Sequence, residues 1–147
     1  MQNFIPGNPD YKNSIAEKMK ANHFMNFIGF KTTLVQPGLI EGNLTILKEH
    51  TQQIGFLHGG VIATLVDLVA GFAAFTLVKP GDHVVTVEMK VVYLNPGIGQ
   101  TAFAKGYVIK AGNRLHFSES EIWVNNNGID TLIAKGYATF AVIDLLI

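Results

Sequence analysis

Three adjacent residues, His58, Gly59 and Gly60, precede the most apolar stretch of the chain, residues 61–78, which holds a single charge, Asp67. A helix that begins at the glycines leaves backbone N–H groups without intrahelical partners, and the missing side chains leave these groups open to a ligand. Such a helix start can bind an anion or stabilise an oxygen atom that becomes negative during a reaction. A carboxylate inside an apolar helix is costly unless it has a partner or a task. The pattern therefore predicts a site made from the helix start and Asp67.

Each half of this pattern also has a plainer interpretation. His58 and the two glycines could form a turn with a packed histidine, and Asp67 could be a carboxylate hydrogen-bonded inside the fold. The apolar run is also long enough to be weighed as a membrane span. Asp67 argues against a span, because an Asp at a helix centre costs about 2.5–3.5 kcal/mol on insertion. No cluster of Lys or Arg flanks either end of the run.

The spacing of the two groups has a consequence for assembly. Asp67 lies roughly 12 Å along a helix from Gly59, at 1.5 Å per residue. One helix cannot present both groups to the same reacting carbon at that separation. We therefore expect a homodimer in which each site combines Gly60 of one chain with Asp67 of the other.

Composition sets limits on the class of protein. The chain has 147 residues, and we expect one domain over 1–147 with an N-terminal extension and helix over 1–28. Eleven basic and eleven acidic residues give no net charge and hence no electrostatic reason to expect nucleic acid or a membrane as partner. The absence of cysteine excludes disulfides, thiolate zinc sites and a cysteine nucleophile. The five histidines have no metal-ligand spacing, so we expect no metal. No secretory signal is visible, and we expect a cytoplasmic protein.

The remaining elements are predicted from capping and periodicity. Ser14 with Glu17 three residues later predicts a first helix that begins at Asn13 or Ser14 and runs to about Asn26. Its predicted apolar face consists of Ile15, Ala16, Met19 and Phe27. Alternating apolar and polar residues then predict strands joined as an antiparallel meander. These strands cover residues 34–47 with a break at 37–38, 84–94, 100–110, 114–124 and 130–142. The fold class is α+β, with a long central helix wrapped by a five- to six-stranded antiparallel sheet and a short N-terminal helix.

Two of these strands carry specific expectations about their faces. In residues 84–94, the alternation places one set of residues toward the core and Thr86 on the opposite face. The predicted core set is Val85, Val87, Met89, Val91 and Tyr93. In residues 114–124, Leu115 and Phe117 share a face with Glu119 and Glu121. Either a bulge resets this alternation or part of the strand faces a polar neighbour.

Several motifs together resemble one family. The segment 55–60, the residues Thr-Leu-Val-Asp at 64–67, the strand 86–96 and the turn 112–114 are similar to those of hotdog-fold thioesterases, in particular the acyl-CoA thioesterases of the phenylacetic-acid-degradation type. The resemblance covers about residues 29–142. It implies a hotdog fold and hydrolysis of an acyl-CoA thioester, with coenzyme A carried in by the substrate and no further cofactor. In this family two dimers commonly join, so a homotetramer is favoured over a dimer.

The resemblance also implies roles for individual residues. Gly60, alone or with Gly59, polarises the thioester carbonyl, and His58 positions that turn. Asp67 acts across the dimer as nucleophile or as general base for water. Relatives often carry Asn six residues before the histidine, where this chain has Gln52.

Further implied contacts lie outside that turn. Thr86 matches a Ser or Thr that assists at the start of the second strand. Asn95, Pro96 and Gly97 border the arm of coenzyme A. Its phosphates call for Lys or Arg, for which the candidates are Arg114, Lys90 and Lys110.

Two other functions fit the same fold. A hotdog hydratase often carries an Asp-x-Asn-Pro element before the histidine, whereas residues 53–56 here are Gln-Ile-Gly-Phe. An acyl-CoA-binding protein without catalysis would keep the groove but would not need Asp67. The acyl group itself is left open, because Phe56, Phe72 and Phe75 could line either an aliphatic tunnel or an aryl pocket.

Overall fold

A computed structural model describes residues 3–144, so both ends of the predicted range 1–147 lie outside the described residues. Three α-helices and six β-strands follow one another in the described chain, with a short 3-10 turn at Lys48–His50. The helices are α1 (Tyr11–Ala21), α2 (His23–Ile28) and α3 (Gly59–Phe75). The strands are β1 (Lys31–Gln36), β2 (Leu39–Thr45), β3 (Asp82–Tyr93), β4 (Thr101–Ala111), β5 (Leu115–Asn126) and β6 (Ile129–Asp144).

All six strands form one antiparallel sheet in the order β1-β2-β4-β5-β6-β3. The sheet wraps α3, which contacts β2, β3, β4, β5 and β6. Burying so apolar a helix on most sides is what its composition requires, because a helix without a polar face must be enclosed. The predicted α+β hotdog architecture is confirmed. The predicted meander was wrong for β3, which pairs with β6 at the edge of the sheet instead of lying between β2 and β4. Among residues 3–144, no helix is long and apolar enough to span a bilayer.

Two glycines in the sheet allow α3 to lie close to it. A Cβ atom at Gly106 would lie 2.3 Å from the carbonyl carbon of Val69, and one at Gly136 would lie 2.2 Å from a methyl group of Val66. Both separations are far below van der Waals contact. The sheet therefore fixes the depth and position of α3, and with it the position of Asp67.

The end of α3 is fixed by Thr76. The Oγ1 of Thr76 donates to the Ala73 carbonyl at 2.6 Å and accepts from the Gly38 N–H at 2.7 Å. The helix therefore stops at Phe75, three residues before the apolar stretch ends at residue 78. The same threonine ties the helix end to the turn between β1 and β2.

A β-bulge in β3 corrects the predicted faces of this strand. The pairing with β6 shifts between Thr86 and Glu88, so Val87 has no partner in β6. Before the shift, the residue that faces α3 is Thr86, which pairs with the buried Phe140. Beyond the shift, the residues that pair with the α3-facing residues of β6 are Met89, Val91 and Tyr93. The prediction that Val85 and Val87 face the core was wrong, as was the outward placement of Thr86. Val85 and Val87 are 45% and 59% exposed.

The alternation of buried and exposed residues in β5 is unbroken over its first half, so no bulge in this strand resets the pattern there. His116, Ser118 and Ser120 are buried against α3, and the apolar Leu115 and Phe117 lie on the outer surface with the two glutamates. The Oγ of Ser120 donates to the Val66 carbonyl at 3.1 Å. The face toward α3 is thus the partly polar one, and its side chains are short enough to lie against the helix backbone.

The N-terminal helix differs from its prediction in start and continuity. α1 begins at Tyr11, after Asp10, instead of at Asn13 or Ser14. The side chain of Asn22 accepts from the Met25 N–H at 2.9 Å and so caps a second helix, α2. Of the predicted apolar face, Ile15 and Met19 are buried but Ala16 and Phe27 are exposed. Phe27 lies in α2, beyond the break at Asn22 that changes the helical phase.

Because His116 is buried, we expect the folded protein to lose stability in mild acid. Its Nδ1–H donates to the Ala74 carbonyl at 3.2 Å, and burial lowers the pKa of the ring below its usual value, opposed by contacts with the Ala74 and Gly112 backbone. In the unfolded chain, His116 binds a proton near pH 6.5, whereas in the folded chain it stays neutral at that pH. The free energy of unfolding therefore falls as the pH decreases below about 6.5. The asparagine of His116→Asn keeps a donor but does not titrate. We expect thermal unfolding between pH 5 and 7.5 to depend less on pH in this variant than in wild type, and parallel profiles would contradict the assignment.

Candidate active site

The start of α3 is organised by His58, which is its N-cap residue. The backbone of His58 is extended (φ −64°, ψ 135°), and its N–H donates to the His50 carbonyl at 2.8 Å. The Nδ1 of its ring accepts from the Gly60 N–H at 2.9 Å. Because Nδ1 accepts, the neutral ring carries its proton on Nε2, and the exposed imidazole presents an N–H donor to its surroundings. His58 therefore fixes the geometry of the glycine turn.

This bond distinguishes the two glycines. The Gly60 N–H is already donated to His58, whereas no acceptor among the described residues takes the Gly59 N–H. The Gly59 carbonyl accepts from the hydroxyl of Tyr93 at 3.0 Å, and a Cβ added at Gly59 would meet the Tyr93 ring at an ordinary contact of 3.5 Å. The open donor at the positive end of the helix is thus Gly59.

A cavity of about 330 Å³ opens at this helix start. The residues around it bring several predicted site residues together, namely Gln52, Gly59, Asn95, Pro96 and Gly97. The loop after β3 is held there by hydrogen bonds, since the Leu57 N–H donates to the Gly97 carbonyl at 2.8 Å and the Asn95 side chain donates to the Leu132 carbonyl at 2.9 Å. Gln52, Gly59 and this loop therefore form one mouth beside the free N–H group.

Asp67 lies two turns further along α3 and is half-buried. Its Oδ1 accepts from the hydroxyl of Thr86 at 2.7 Å. This contact exists because the bulge at Val87 lets Thr86 face α3. Thr86 thereby fixes the orientation of the carboxylate, and no donor among the described residues bonds its other oxygen.

Within one chain the two halves of the predicted site lie apart. Asp67 and Thr86 line one cavity, and Gly59 lines another, with no lining residue in common. Asp67 lies roughly 12 Å along the helix axis from Gly59. One chain therefore offers two separate half-sites.

The predicted phosphate-binding residues are distant from the helix start. Lys110 and Arg114 flank the β4–β5 turn, which lies near the C-terminal end of α3, and Lys90 is exposed on β3. None of the three lines the cavity of Asp67 or the cavity of Gly59. Their role toward coenzyme A stays a prediction.

Sequence reasoning missed three residues that line these cavities. Tyr93 was placed in the core, but its hydroxyl bonds Gly59. Lys18 and His83 line the cavity of Asp67. Of these three, only Tyr93 carried a signal, because it lies on the same strand as Thr86.

Replacing Thr86 tests its hold on the carboxylate. Thr86→Val keeps the shape of the side chain but removes the donor to Asp67, whereas Thr86→Ser keeps the donor. A hydrogen bond to a charged group contributes about 1.5–3 kcal/mol, so we expect kcat to fall about ten- to a hundred-fold in the valine variant. The serine variant should keep most of the activity, as measured by initial rates. Equal rates for valine and wild type would show that Thr86 does not act through Asp67.

Comparisons with known proteins show the family to which the chain belongs. The family model of the thioesterase superfamily matches residues 54–130, which include His58, Gly59, Asp67 and Thr86. Human acyl-coenzyme A thioesterase 13 is 35% identical over 123 residues, which are 82% of this chain and 85% of that protein.

Solved structures extend the similarity to the whole fold. A thioesterase family protein from Silicibacter pomeroyi has a TM-score of 0.90 and 30% identity, covering 91% of this chain and 98% of its own. Zebra fish thioesterase superfamily member 2 has a TM-score of 0.73 and 28% identity, covering 88% and 94%. The resemblance to hotdog thioesterases is confirmed, while the phenylacetic-acid-degradation type stays a prediction. The chain belongs to the thioesterase superfamily and is a thioester hydrolase.

Proposed function

We propose that the protein hydrolyses acyl-CoA thioesters to a free acid and coenzyme A. The observation that carries the proposal is the pair of half-sites, a carboxylate held by Thr86 and a free N–H at Gly59, in a member of the thioesterase superfamily. The name of the human relative, an acyl-coenzyme A thioesterase, supports this substrate class.

The reaction uses the helix start to activate the carbonyl. The thioester oxygen accepts from the Gly59 N–H, and the helix dipole stabilises the negative charge that develops there. His58 holds the turn rigid through the Gly60 N–H, so this donor needs no rearrangement when the substrate arrives. Gly60 thus contributes through the capping bond, and Gly59 supplies the direct contact.

Asp67 of a second chain completes the site in one of two ways. As a general base, it takes a proton from water, whose oxygen attacks the carbonyl carbon. As a nucleophile, its free oxygen attacks that carbon and forms an anhydride, which water then hydrolyses. In both routes the carbon–sulfur bond breaks, and coenzyme A leaves as a thiolate that takes up a proton.

The assembly that brings the half-sites together is a dimer across β3. β3 is an edge strand of the described sheet, and an unpaired edge offers its backbone groups to another strand. Val85 and Val87 are exposed on this strand and gain burial when a second copy pairs with it. A two-fold axis there sets Gly59 of one chain beside Asp67 of its partner, and two dimers form the homotetramer.

Release of free thiol tests the reaction. Purified protein is mixed with acyl-CoAs that differ in chain length and aromaticity, and the thiol is measured with a chromogenic reagent. We expect release by wild type and none by Asp67→Asn. Tight binding without release would support a non-catalytic acyl-CoA-binding protein. Addition of water to an enoyl-CoA, without thiol, would support a hydratase.

A further inference from the structure

The cavity beside Asp67 extends along α3 away from the reacting groups. It has a volume of about 370 Å³ and is lined at one end by Asp67 and Thr86. The helix residues Leu68, Phe72 and Phe75 follow along its wall. Phe75 lies roughly 12 Å along the axis from Asp67, at 1.5 Å per residue. An acyl chain whose carbonyl carbon is at Asp67 therefore has space along the helix.

The middle of this cavity is apolar. Leu68, Phe72 and Phe140 supply its walls, and Gly71 leaves room between them, because a Cβ there would lie 3.2 Å from the Phe140 ring. Among the described residues, Lys18 and Asp67 are the only Lys, Arg, Asp or Glu residues that line this cavity. Methylene groups of an acyl chain would gain free energy by burial against these aromatic rings.

The far end of the cavity changes character. The rings of His83 and Phe75 lie 5.9 Å apart between centroids, and Lys18 of α1 lies at the same end. Lys18, Phe75 and His83 also line a second cavity of about 230 Å³, so the two spaces adjoin. The second cavity is polar, and its further side chains include Tyr11, Ser14, Lys79 and Asp82.

Positive charge is in excess at this junction. Two lysines, Lys18 and Lys79, face one carboxylate, Asp82. Within residues 3–144, neither lysine forms an ion pair within 4.0 Å. His83 adds an imidazole N–H group. An acyl chain that ends in a methyl group would place apolar surface against these polar groups, whereas an anionic end would pair with them.

We infer that the preferred acyl group carries a carboxylate at its far end, which Lys18 and His83 bind at the junction of the two cavities. The substrates would be mono-CoA thioesters of dicarboxylic acids, with the methylene chain against Phe72 and Phe140. This inference rests on the proposed function, because it takes Asp67 as the position of the reacting carbonyl. Lys18 and His83 are the residues that determine specificity.

Matched pairs of substrates test the inference. Adipoyl-, suberoyl- and sebacoyl-CoA are compared with hexanoyl-, octanoyl- and decanoyl-CoA, which have the same chain lengths but end in a methyl group. We expect kcat/KM to be about ten-fold higher for the carboxylate member of at least one pair. Lys18→Met should remove this preference by lowering kcat/KM for the dicarboxylic substrate alone. Lys20→Met, an exposed lysine on the same helix that lines neither cavity, is the matched control and should keep it.

A binding measurement separates this inference from the proposed function. The dissociation constants of the same pairs are measured on Asp67→Asn protein, with and without Lys18→Met. Tighter binding of the carboxylate member, lost with Lys18→Met, supports the inference even if wild type releases no thiol, a result that would overturn only the proposed hydrolysis. Equal affinity and equal kcat/KM within every pair, or a preference that survives Lys18→Met, would overturn the inference.

Discussion

Asp67→Asn is expected to reduce kcat to less than about a tenth of the wild-type value, and to near zero if no other group substitutes for the carboxylate. The amide has almost the shape of the carboxylate and still accepts from the Thr86 hydroxyl, so the 2.7 Å contact and the fold should persist. What is lost is the basic or nucleophilic oxygen. The expected signature is therefore a fall in kcat with little change in acyl-CoA affinity.

The control for this variant is an aspartate with a similar bond elsewhere. Asp130 accepts from the Asn125 side chain at 2.7 Å at the exposed turn between β5 and β6. Asp130→Asn makes the same chemical change away from both half-sites and should leave kcat unchanged. Activity above about a tenth of wild type in a folded Asp67→Asn protein would refute the catalytic assignment.

The helix and its site residues were predictable because their signals are local. An apolar run with one carboxylate, preceded by His-Gly-Gly, specifies a buried helix with an open start. The prediction that one chain cannot unite Gly59 and Asp67 used only the rise per residue, and the structure shows the two in separate cavities. The same apolar run also predicted the fold class, since a helix that is apolar on most sides must be enclosed by a sheet.

The bulge at Val87 could not be predicted from its own strand. Residues 84–94 alternate well enough to place Val85 and Val87 inward, and the register shift becomes visible only in the pairing with β6. Missing it put Thr86 on the wrong face, although its resemblance to a family position had already marked it. The motif was thus a better guide to Thr86 than the periodicity.

The choice between Gly59 and Gly60 also depends on tertiary structure. Two adjacent glycines give two N–H groups at a helix start, and sequence offers no way to rank them. The backbone N–H of His58 donates to the His50 carbonyl and so positions the residue, and its ring then accepts from the Gly60 N–H rather than from the Gly59 N–H. Similarly, Lys18 lies 49 residues before Asp67 in sequence, and only the packing of α1 brings it to the same cavity.

Gly59→Val is expected to lower kcat by about 10²–10³, the typical cost of losing one oxyanion donor. The nearest neighbour of a Cβ at Gly59 is the Tyr93 side chain, at an ordinary contact of 3.5 Å, so the variant should fold, and circular dichroism with thermal unfolding checks this. The added methyl groups then cover the approach to the Gly59 N–H. A folded variant with wild-type kcat would mean that this N–H does not contact the carbonyl.

Mixing the two inactive variants tests whether the half-sites meet across the dimer. When Gly59→Val and Asp67→Asn chains exchange, each mixed dimer has one site with both lesions and one site with neither. Half of the dimers in a random mixture are mixed, so about a quarter of all sites should be intact and activity should rise toward that fraction of wild type. A mixture of Asp67→Asn and Asp67→Ala chains is the control, because every site then keeps a lesion and no activity returns. Exchange is followed with tagged chains, and a failure of activity to rise despite exchange would show that Gly59 and Asp67 do not meet across the dimer interface.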